Sequence, residues 1–570
     1  MVNISITKYS SLFLLFSGYP GMQYIAVVEC VSSGILYIDE IISRGYRPLV
    51  VNVKECPQDL IEYRKILFKT FENKVDFINE KEDFDSFIED LRKYDIVAAF
   101  AGSEYGVRLT DRIVKALGLR GNDDATTYMR CTKSGMFEAL GKAGIRRIES
   151  RIVKSEKDIE DFWNDNRLNK CVMKFSESAG TVGLKICSSI DEAKAHYKAM
   201  ADIPTIKNEA DPEMLIQEYI GGTEYIVDTL SCDGRHMLTD VWVYNKVRAE
   251  DGTLAYDSIK LIKDLEPGHS EMIRYAYSVL DAVDLKWGIC HTEIKIDEKG
   301  PVLIETNARP LGLAMTAAYL DEILGYHLTE MAIDTYLDPR SFNKLVHKMY
   351  SPRKYALIKL MIVPGDIKGS FIPTFVFSNM LRSSRELLYF GKEGVAEYHR
   401  TIDLDTTPVV IKMANSDYGD IMKDYEMLRL IESNYFHLFY ILDDHIRGVE
   451  PKTDVDLIVK NLDPVRKFAV VTDDGIRIAQ YGEFSDYDGW QMFDGAIFAE
   501  CKESTVLDRY RSIFKTMKSI RSGGLFIIVP ESYEAIRSGS VLMEFMMNIG
   551  GIQVKAPTYD SVGIIYGMKK

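Results

Sequence analysis

The sequence has little of what a disulfide-stapled or metal-finger protein needs. Its 570 residues contain eight cysteines, which occur singly and without a CxxC pair. This spacing excludes the zinc-finger classes and favours reduced thiols in a cytoplasmic protein. Cys171 and Cys290 lie inside apolar strand-like segments, where we expect small buried hydrophobic residues.

Long hydrophobic runs and an excess of positive charge are also missing. The apolar run at residues 12–16 is far too short to span a bilayer and has no basic leader. We therefore expect no membrane association and interpret the run as a first strand. The formal net charge of −15 argues against nucleic-acid binding, because non-specific binding requires a basic surface.

The common signatures of nucleotide-binding loops are missing too. Gly18 and Gly21 do not complete a GxGxxG motif, and the chain contains no GxxxxGK[ST] segment. Neither a dinucleotide-binding turn nor a Walker loop is therefore predicted. What remains is an ordinary folded composition, 46% hydrophobic and 27% charged, in a chain long enough for several domains.

The first 122 residues alternate between apolar strand-like runs and helical segments. After the run at 12–16, the pattern indicates a helix through 38–43 and strands at 48–53 and 95–100. Such alternation is typical of βαβ units. We expect a parallel sheet at the N-terminus.

Two lysines lie where phosphate groups could be bound. Residues 126–144 predict one helix, which contains Lys133 and is closed by Gly144. Lys174 lies near the end of an apolar strand and is followed by the glycine-containing loop 176–183, whose backbone N–H groups could approach phosphate oxygens closely. A solvated surface lysine and a flexible hairpin tip are the structural alternatives.

Two alternating strands near residue 300 predict a β-hairpin. A three-residue loop at 298–300 sets Ile294 opposite Ile304. The same register sets Glu293 opposite Glu305. Like charges directly opposite each other in an antiparallel pair are destabilising, because their Cβ atoms are only ~5 Å apart.

The repulsion between these facing carboxylates must be offset, and the positive charge of a hard divalent cation would offset it. Glu293, Glu305 and the amide oxygen of Asn307 are the ligand types that Mg²⁺ prefers. The structural alternative is a solvated outer face on which the charges are harmless.

Other polar side chains of the same region need partners. Glu224 and Asp228 fall among apolar neighbours, which is uncommon without a polar partner. His291 shares a face with Glu293; it could touch a substrate, but a structural hydrogen bond is the favoured interpretation. For the strand aromatics Trp242 and Tyr244, core packing is favoured over a role in an acceptor pocket.

The order of these motifs resembles the ATP-grasp superfamily over residues 10–440. The resemblance is carried by two lysines, a glycine loop, the segments QEYIGGTEYIVD, HTEIKI and LIETNARPLG, and the spacing Glu-x11-Glu-x-Asn-x-Arg from residue 293. Within the superfamily, AGSEYGVRLTDRIVKALGLRGN and MRCTKSGMFEALGKAGI are most similar to the carboxylate–amine ligases that make dipeptides and amino-acid conjugates. The loop departs from many relatives, which have a proline after the lysine.

The resemblance implies a role for each matching residue. The catalytic group would be Arg309, on the acyl-phosphate oxygens. The residues that would hold Mg²⁺, or Mn²⁺ in its place, are Glu293, Glu305 and Asn307. The residues that would contact ATP are Lys133, Lys174, Ser178, Gly180, Gly183, Gln217, Glu218, Ile220 and Glu224.

The implied activity is that of an ATP-dependent ligase, which activates a carboxylate as an acyl phosphate and couples it to an amine with release of ADP and phosphate. Amino acids or peptides would be the substrates, in specialised-metabolite biosynthesis. Two alternatives stay open. One keeps the chemistry but uses another nucleophile, such as a carrier-protein-tethered group, or bicarbonate as the acid. The other is a non-catalytic ATP-binding scaffold. Relatives of this type are often homodimers.

The implied fold is mixed α/β (α+β): an ATP-grasp fold with an N-terminal parallel-sheet domain, a central ATP-binding lid, a catalytic antiparallel sheet and a C-terminal Rossmann-like domain. The predicted domains are 1–125, 126–340 with the lid at about 148–222, 341–447 and, after a linker, 455–570. The last domain resembles the later half of a class I methyltransferase without its glycine-rich cofactor loop. Packing, dimerisation or partner docking is favoured there over methyl transfer.

Overall fold

In the computed structural model, most of the first 434 residues and several C-terminal strands are described. The described residues are 21–55, 61, 64–65, 69–71, 73–176, 183–200, 213–248, 254–313, 315–347, 349–363, 367–368, 381–389, 397–402, 404, 406–434, 468–472, 475–480, 483–486, 493–499, 520–529 and 565–568. The chain divides into two compact units. The first comprises 1–245, 250–253 and 259–354, and the second 246–249, 254–258 and 355–570.

A four-stranded sheet begins the first unit. Its strands are β1 (Gln23–Val28), β2 (Arg47–Asn52), β3 (Asp76–Asn79) and β4 (Asp95–Ala101), in the order β3-β2-β1-β4. All three pairings are parallel. The accompanying helices are Leu36–Ser43, Phe84–Leu91 and Val107–Leu117. The strands are nearly continuous apolar runs because both faces of the sheet are buried.

The predicted N-terminal parallel sheet is therefore confirmed, but its first strand was not anticipated. The apolar run at 12–16 lies outside the described residues. The strand at the centre of the sheet is β1, at 23–28, which the sequence pattern did not single out. Strand order reverses between β1 and β4, and crevices at such switch points commonly bind ligands in open α/β sheets.

A second four-stranded sheet lies in the middle of the first unit and is called the lid sheet below. It contains β5 (Ser150–Val153), β6 (Cys171–Phe175), β7 (Lys185–Cys187) and β8 (Met214–Glu218), in the antiparallel order β5-β8-β6-β7. Helices Glu156–Asp165 and Ile190–Met200 pack on one face, where Met173, Phe175 and Ile216 are buried. Alternation directs Lys174 and Gln217 to the other face.

A third sheet of the first unit carries the predicted hairpin. Its strands are β9 (Thr223–Cys232), β10 (Arg235–Arg248), β12 (Gly288–Asp297) and β13 (Gly300–Asn307), in the order β13-β12-β9-β10. The helix Pro267–Ala282 packs beneath it through Met272, Ala276 and Val279. The remaining helices of the unit are Tyr128–Cys131, Lys133–Lys142, Ala317–Ile323, Leu328–Leu337 and Arg340–Leu345, with short 3-10 turns at Ser32–Ile35, Glu104–Gly106 and Asp124–Thr126.

The second unit contains strands from both the middle and the end of the chain. The first five residues of β11 (Leu254–Leu261) belong to it, together with β14 (Tyr355–Leu360), β16 (Ser384–Tyr389), β18 (Val409–Asn415), the short pair β15 (Ile367–Lys368) and β17 (Glu397–Tyr398), and the helix Tyr418–Asn434. Fully buried Lys359 contacts Asp257 at 2.9 Å and also binds Glu432, so its charge is neutralised inside the unit.

The C-terminal strands form a six-stranded sheet. They are β19 (Phe468–Thr472), β20 (Gly475–Gln480), β21 (Glu483–Asp486), β22 (Phe493–Ala499), β23 (Ile520–Val529) and β24 (Ile565–Met568), in the order β21-β20-β19-β22-β23-β24. β19, β22 and β23 run parallel and the outer pairings are antiparallel. The predicted linker lies outside the described residues, and both the four-domain division and the methyltransferase likeness stay predictions. Among the described helices, none is long and apolar enough to cross a membrane.

Candidate functional site

Lys133 is placed by a break in the predicted helix. The sequence predicted one helix over 126–144, whereas the structure interrupts it at Thr132, whose backbone is extended at φ −125°. The Thr132 hydroxyl caps the new helix by accepting a hydrogen bond of 2.9 Å from the Gly135 N–H. Lys133 becomes the first residue of that helix, and its Nζ lies 2.9 Å from Glu305 Oε2.

The hairpin β12–β13 sets Glu293 opposite Glu305, as predicted, but by a different route. The turn contains two residues rather than three, because Asp297 pairs with Gly300. Ile294 then pairs with Leu303, not with Ile304 as expected. A register shift next to this pair adds one residue to β13 and returns Glu305 to its position opposite Glu293.

Burial and cations together control the charge of Glu305. Its side chain is only 20% exposed, which excludes the solvated outer face as an interpretation. Burial alone would raise the pKa of this carboxyl, but Lys133, with help from Lys174 and the Asn307 amide, lowers it to about 2. Burial by itself would lower the pKa of Lys133. The nearby charges of Glu305 and Glu104 have the larger effect and raise it. The two groups form a buried ion pair.

Glu293 is held by an aromatic hydroxyl and faces a buried histidine. Tyr244 Oη donates a 2.9 Å hydrogen bond to Glu293 Oε1, and His291 Nε2 lies 3.5 Å from the same oxygen. His291 Nδ1 lies 2.8 Å from Asp228 Oδ1. Burial lowers the His291 pKa, but Asp228 more than compensates and raises it to about 9. The favoured structural hydrogen bond of His291 is thus present, and it also supplies the polar partner expected for Asp228.

The two strand aromatics have different surroundings. Trp242 is completely buried and donates its indole N–H to Asp240, so its expected role in core packing is confirmed. Tyr244 instead reaches Glu293 through its hydroxyl. Burial, and then the neighbouring Asp228, raises the pKa of Asp240 well above its usual range.

Lys174 enters the same charged group from the lid sheet. It is 5% exposed, and its Nζ lies 6.0 Å from the centre of the Phe137 ring. Burial, and then the charge of Lys133, lowers its pKa to about 7, although Glu305 and other carboxylates act in the opposite direction. The backbone of Ser176, two residues further on, accepts a 3.2 Å hydrogen bond from the Lys133 N–H. These contacts join the end of β6 to the start of the Lys133 helix.

The loop after Lys174 is described only at its ends. Ser178 and Gly180, two predicted ATP contacts, lie outside the described residues. Gly183 has φ +70°, and its carbonyl oxygen lies 2.8 Å from His196 Nε2.

Four of the predicted ATP contacts lie between the end of β8 and the start of β9. The side-chain Nε2 of Gln217 is buried and has no hydrogen-bond partner among the described residues. The backbone N–H of Glu218 donates a 3.1 Å hydrogen bond to the Glu149 carbonyl oxygen. The Ile220 carbonyl accepts a 3.1 Å hydrogen bond from Lys295 Nζ, which also lies 3.8 Å from Glu224 Oε2. Lys295 thus contacts two of the predicted ATP-binding residues, a role that the motifs did not identify.

Arg309 lies beside the carboxylate of Glu104, another residue that the motifs did not identify. Its Nη2 is 3.7 Å from Glu104 Oε2, and its Nη1 donates a 3.0 Å hydrogen bond to Pro310 O. Glu104 directly follows Ser103 at the carboxyl end of β4, next to the switch point of the parallel sheet. That position, a carboxylate at the end of a parallel strand, is the signal that could have identified it from sequence.

The structure brings lysine and glutamate side chains from several elements close together. Glu305 contacts both Lys133 and Asn307, and the Asn307 Nδ2 donates a 3.1 Å hydrogen bond to Glu305 Oε1. Two carboxylates and an amide oxygen side by side fit a hard divalent cation. The orphaned amide of Gln217 fits a polar ligand on the same face of the lid sheet as Lys174.

Comparison with known proteins supports this architecture. Residues 168–317 match the family model described as ATP-grasp domain. Dapdiamide A synthase of Enterobacter agglomerans is 23% identical over 419 residues, which cover 73% of this chain and 97% of that protein.

Two solved structures share the fold. The L-amino acid ligase of Bacillus licheniformis has a TM-score of 0.55 at 14% identity, covering 71% of this chain and 97% of that one. Carboxyaminoimidazole ribonucleotide synthase of Aspergillus clavatus, solved with ATP, has a TM-score of 0.53 at 13% identity, covering 72% and 98%. Residues 168–317 thus match the ATP-grasp domain model, most of the chain shares the fold of these ligases, and the sequence is similar to dapdiamide A synthase.

Proposed function

We propose that the chain is an ATP-dependent ligase that converts a carboxylate into an acyl phosphate and joins it to an amine, with release of ADP and phosphate. The observation that carries the proposal is the convergence of Lys133, Lys174, Glu305 and Glu293 from four separate elements of the first unit. Phosphoryl transfer is catalysed mainly by positioning and by neutralising charge. Similarity to dapdiamide A synthase over most of that protein supports the same chemistry.

The two lysines are suited to different parts of this task. Lys133 is charged and already paired with Glu305, so it holds a fixed positive charge at the site. Lys174 has a pKa of about 7 because burial removes water from its ammonium group. A bound phosphate would favour its charged form, so nucleotide binding near neutral pH would draw a proton onto Lys174. Gln217 and Glu224 would contact the base and the ribose.

Glu293, Glu305 and Asn307 would hold Mg²⁺. Glu305 is ionised at any physiological pH, as a metal ligand must be, because its pKa is about 2. When bound, the ion would neutralise phosphate charge and polarise the transferred group. The residues that orient the ligands are Tyr244, which donates to Glu293, and Lys133, which contacts Glu305.

Arg309 and Glu104 suggest that the acid substrate carries an amino group. Their charged ends lie 3.7 Å apart, and their side chains are 17% and 33% exposed, so both can reach a ligand. An α-amino acid presents a carboxylate and an ammonium group at comparable separation. Arg309 would bind the carboxylate and later the oxygens of the acyl phosphate, while Glu104 would accept hydrogen bonds from the ammonium group.

The test is a matrix of amino acids and small acids assayed for phosphate release, with mass spectrometry of the products. We expect ADP, phosphate and an amide for the correct pair. Hydroxylamine in place of the amine should trap the acyl phosphate as a hydroxamate. Glu305→Gln should abolish turnover, whereas Glu298→Gln, on the exposed turn of the same hairpin, should leave it intact.

Two results would count against the proposal. AMP and pyrophosphate as the products with every active pair would exclude acyl-phosphate chemistry. Full activity of Glu305→Gln would show that the hairpin carboxylates are not the metal ligands.

A further inference from the structure

Two cysteines of the lid sheet face each other across one strand pair. Cys171 in β6 is directly opposite Cys187 in the antiparallel strand β7. Both are completely buried in the same hydrophobic cluster, so their side chains lie on the same face. Directly opposite residues have Cβ atoms ~4.5–5.5 Å apart, and a disulfide needs ~3.5–4.5 Å. A small approach of the strands would therefore join the two sulfur atoms.

The thiols already interact with each other. The influence of each thiol on the other is the largest cause of both pKa shifts: it raises the pKa of Cys171 and lowers that of Cys187. The Cys187 thiol also donates to the Lys185 carbonyl oxygen, at 4.0 Å. Other buried cysteines of the chain have different partners: Cys30 donates to the Gly34 carbonyl, and Cys290 contacts the Thr306 hydroxyl.

The position of β7 provides a route for a small oxidant. β7 contains three residues and forms the edge of the sheet, where, among the described strands, it pairs only with β6. Short edge strands open locally at much lower cost than the whole fold. Cys187 is the last residue of this strand, so local opening of the strand would expose its thiol.

We propose that Cys171 and Cys187 are a reversible oxidative modification site, which a hydroperoxide converts to a disulfide that restrains the strand carrying Lys174. The Cys187 thiolate attacks a peroxide oxygen, the O–O bond breaks, and hydroxide leaves as water after protonation. The Cys171 sulfur then attacks the resulting sulfenic acid, the S–O bond breaks, and a second water leaves with the thiol proton. Two electrons pass from the sulfur atoms to hydrogen peroxide.

Peptide mapping tests the disulfide. The full chain, reduced and then treated with hydrogen peroxide, should give a Cys171–Cys187 crosslinked peptide under non-reducing conditions, and dithiothreitol should remove it. Cys187→Ser should abolish the crosslink, while Cys232→Ser, at another buried cysteine, should retain it. Oxidation of Cys187 to sulfinic acid without a crosslink would overturn the proposal.

Nucleotide titration tests whether the disulfide restrains the strand that carries Lys174, and this experiment rests on the proposed function. The dissociation constant for ATP should differ by about threefold or more between oxidised and reduced protein, and peroxide should not change it in Cys187→Ser. Equal affinities with the crosslink present would overturn the restraint. Failure of the reduced protein to bind ATP would instead contradict the proposed function, because the peptide mapping needs no nucleotide.

Discussion

Replacing Lys174 by methionine is the most informative perturbation of the site. The residue is 5% exposed, and burial together with Lys133 lowers its pKa from 10.5 to about 7. Methionine has a similar length and volume and carries no charge. The substitution should therefore stabilise the protein without nucleotide and weaken its binding of ATP.

The magnitude follows from the pKa. A shift from 10.5 to about 7 is ~3.5 pKa units, which at ~1.4 kcal/mol per unit amounts to ~5 kcal/mol. Between these two values the unfolded chain binds the proton and the folded protein does not, so wild-type stability rises with pH there. Below pH ~7 Lys174 is protonated in both the folded and the unfolded protein, so the full free-energy cost of burying its charge is present. The stability gain of Lys174→Met should thus be largest below pH ~7 and shrink by ~1.4 kcal/mol per pH unit above it.

Urea unfolding at several pH values, followed by tryptophan fluorescence, measures this difference. Trp163 lies in the hydrophobic cluster of the lid sheet and reports on the region directly. Subtracting wild type from variant removes the other titrating groups. Lys170→Met, at the exposed residue directly before the same strand, is the control and should show no pH-dependent gain. A Lys174→Met gain that stays constant from pH ~6.5 to ~9, or a loss of stability at pH ~6.5, would refute the reasoning.

Three further predictions concern neighbouring residues. Lys133→Met leaves Glu305 buried without its cation and should cost about 3–5 kcal/mol of unfolding free energy; an unchanged urea midpoint would contradict the buried ion pair. Gly222 has φ +85°, and a Cβ there would lie 2.0 Å from a carbonyl oxygen of the facing strand, so Gly222→Ala should cost ~2 kcal/mol or more. Gly221→Ala, where a Cβ meets nothing within 4 Å, should melt like wild type. Glu104→Gln should raise KM for the amino-acid substrate about tenfold or more with a smaller effect on kcat; a pure kcat effect would exclude Glu104 from ammonium binding.

The hairpin illustrates what local pattern can predict. Alternating apolar and polar residues and Gly300 predicted two strands with Glu293 opposite Glu305, and that pairing is correct. The loop length and the pairing of Ile304 were both wrong, and the two errors cancelled. The position of a bulge depends on how side chains pack against other elements. Ile304 packs with Val302 in a cluster that includes residues of other elements. Alternation along the strand cannot reveal such packing.

The Lys133 helix shows the same limit. The sequence pattern over 126–144 predicts one continuous helix closed by Gly144. The structure breaks it at Thr132, where capping and contacts with Ser176 outweigh propensity. That break starts the new helix at Lys133, whose amino group contacts Glu305.

By itself, the sequence determined the chemical inventory and its order: two lysines, a glycine loop, paired carboxylates and Arg309, on a mixed α/β chain. These follow from residue type and short-range periodicity, which the sequence displays directly. Only the tertiary structure decided which distant groups meet, namely Lys133 with Glu305, Glu104 with Arg309 and Cys171 with Cys187. The physical reason is that such contacts, and the pKa values they produce, depend on burial and on charges brought in by other elements.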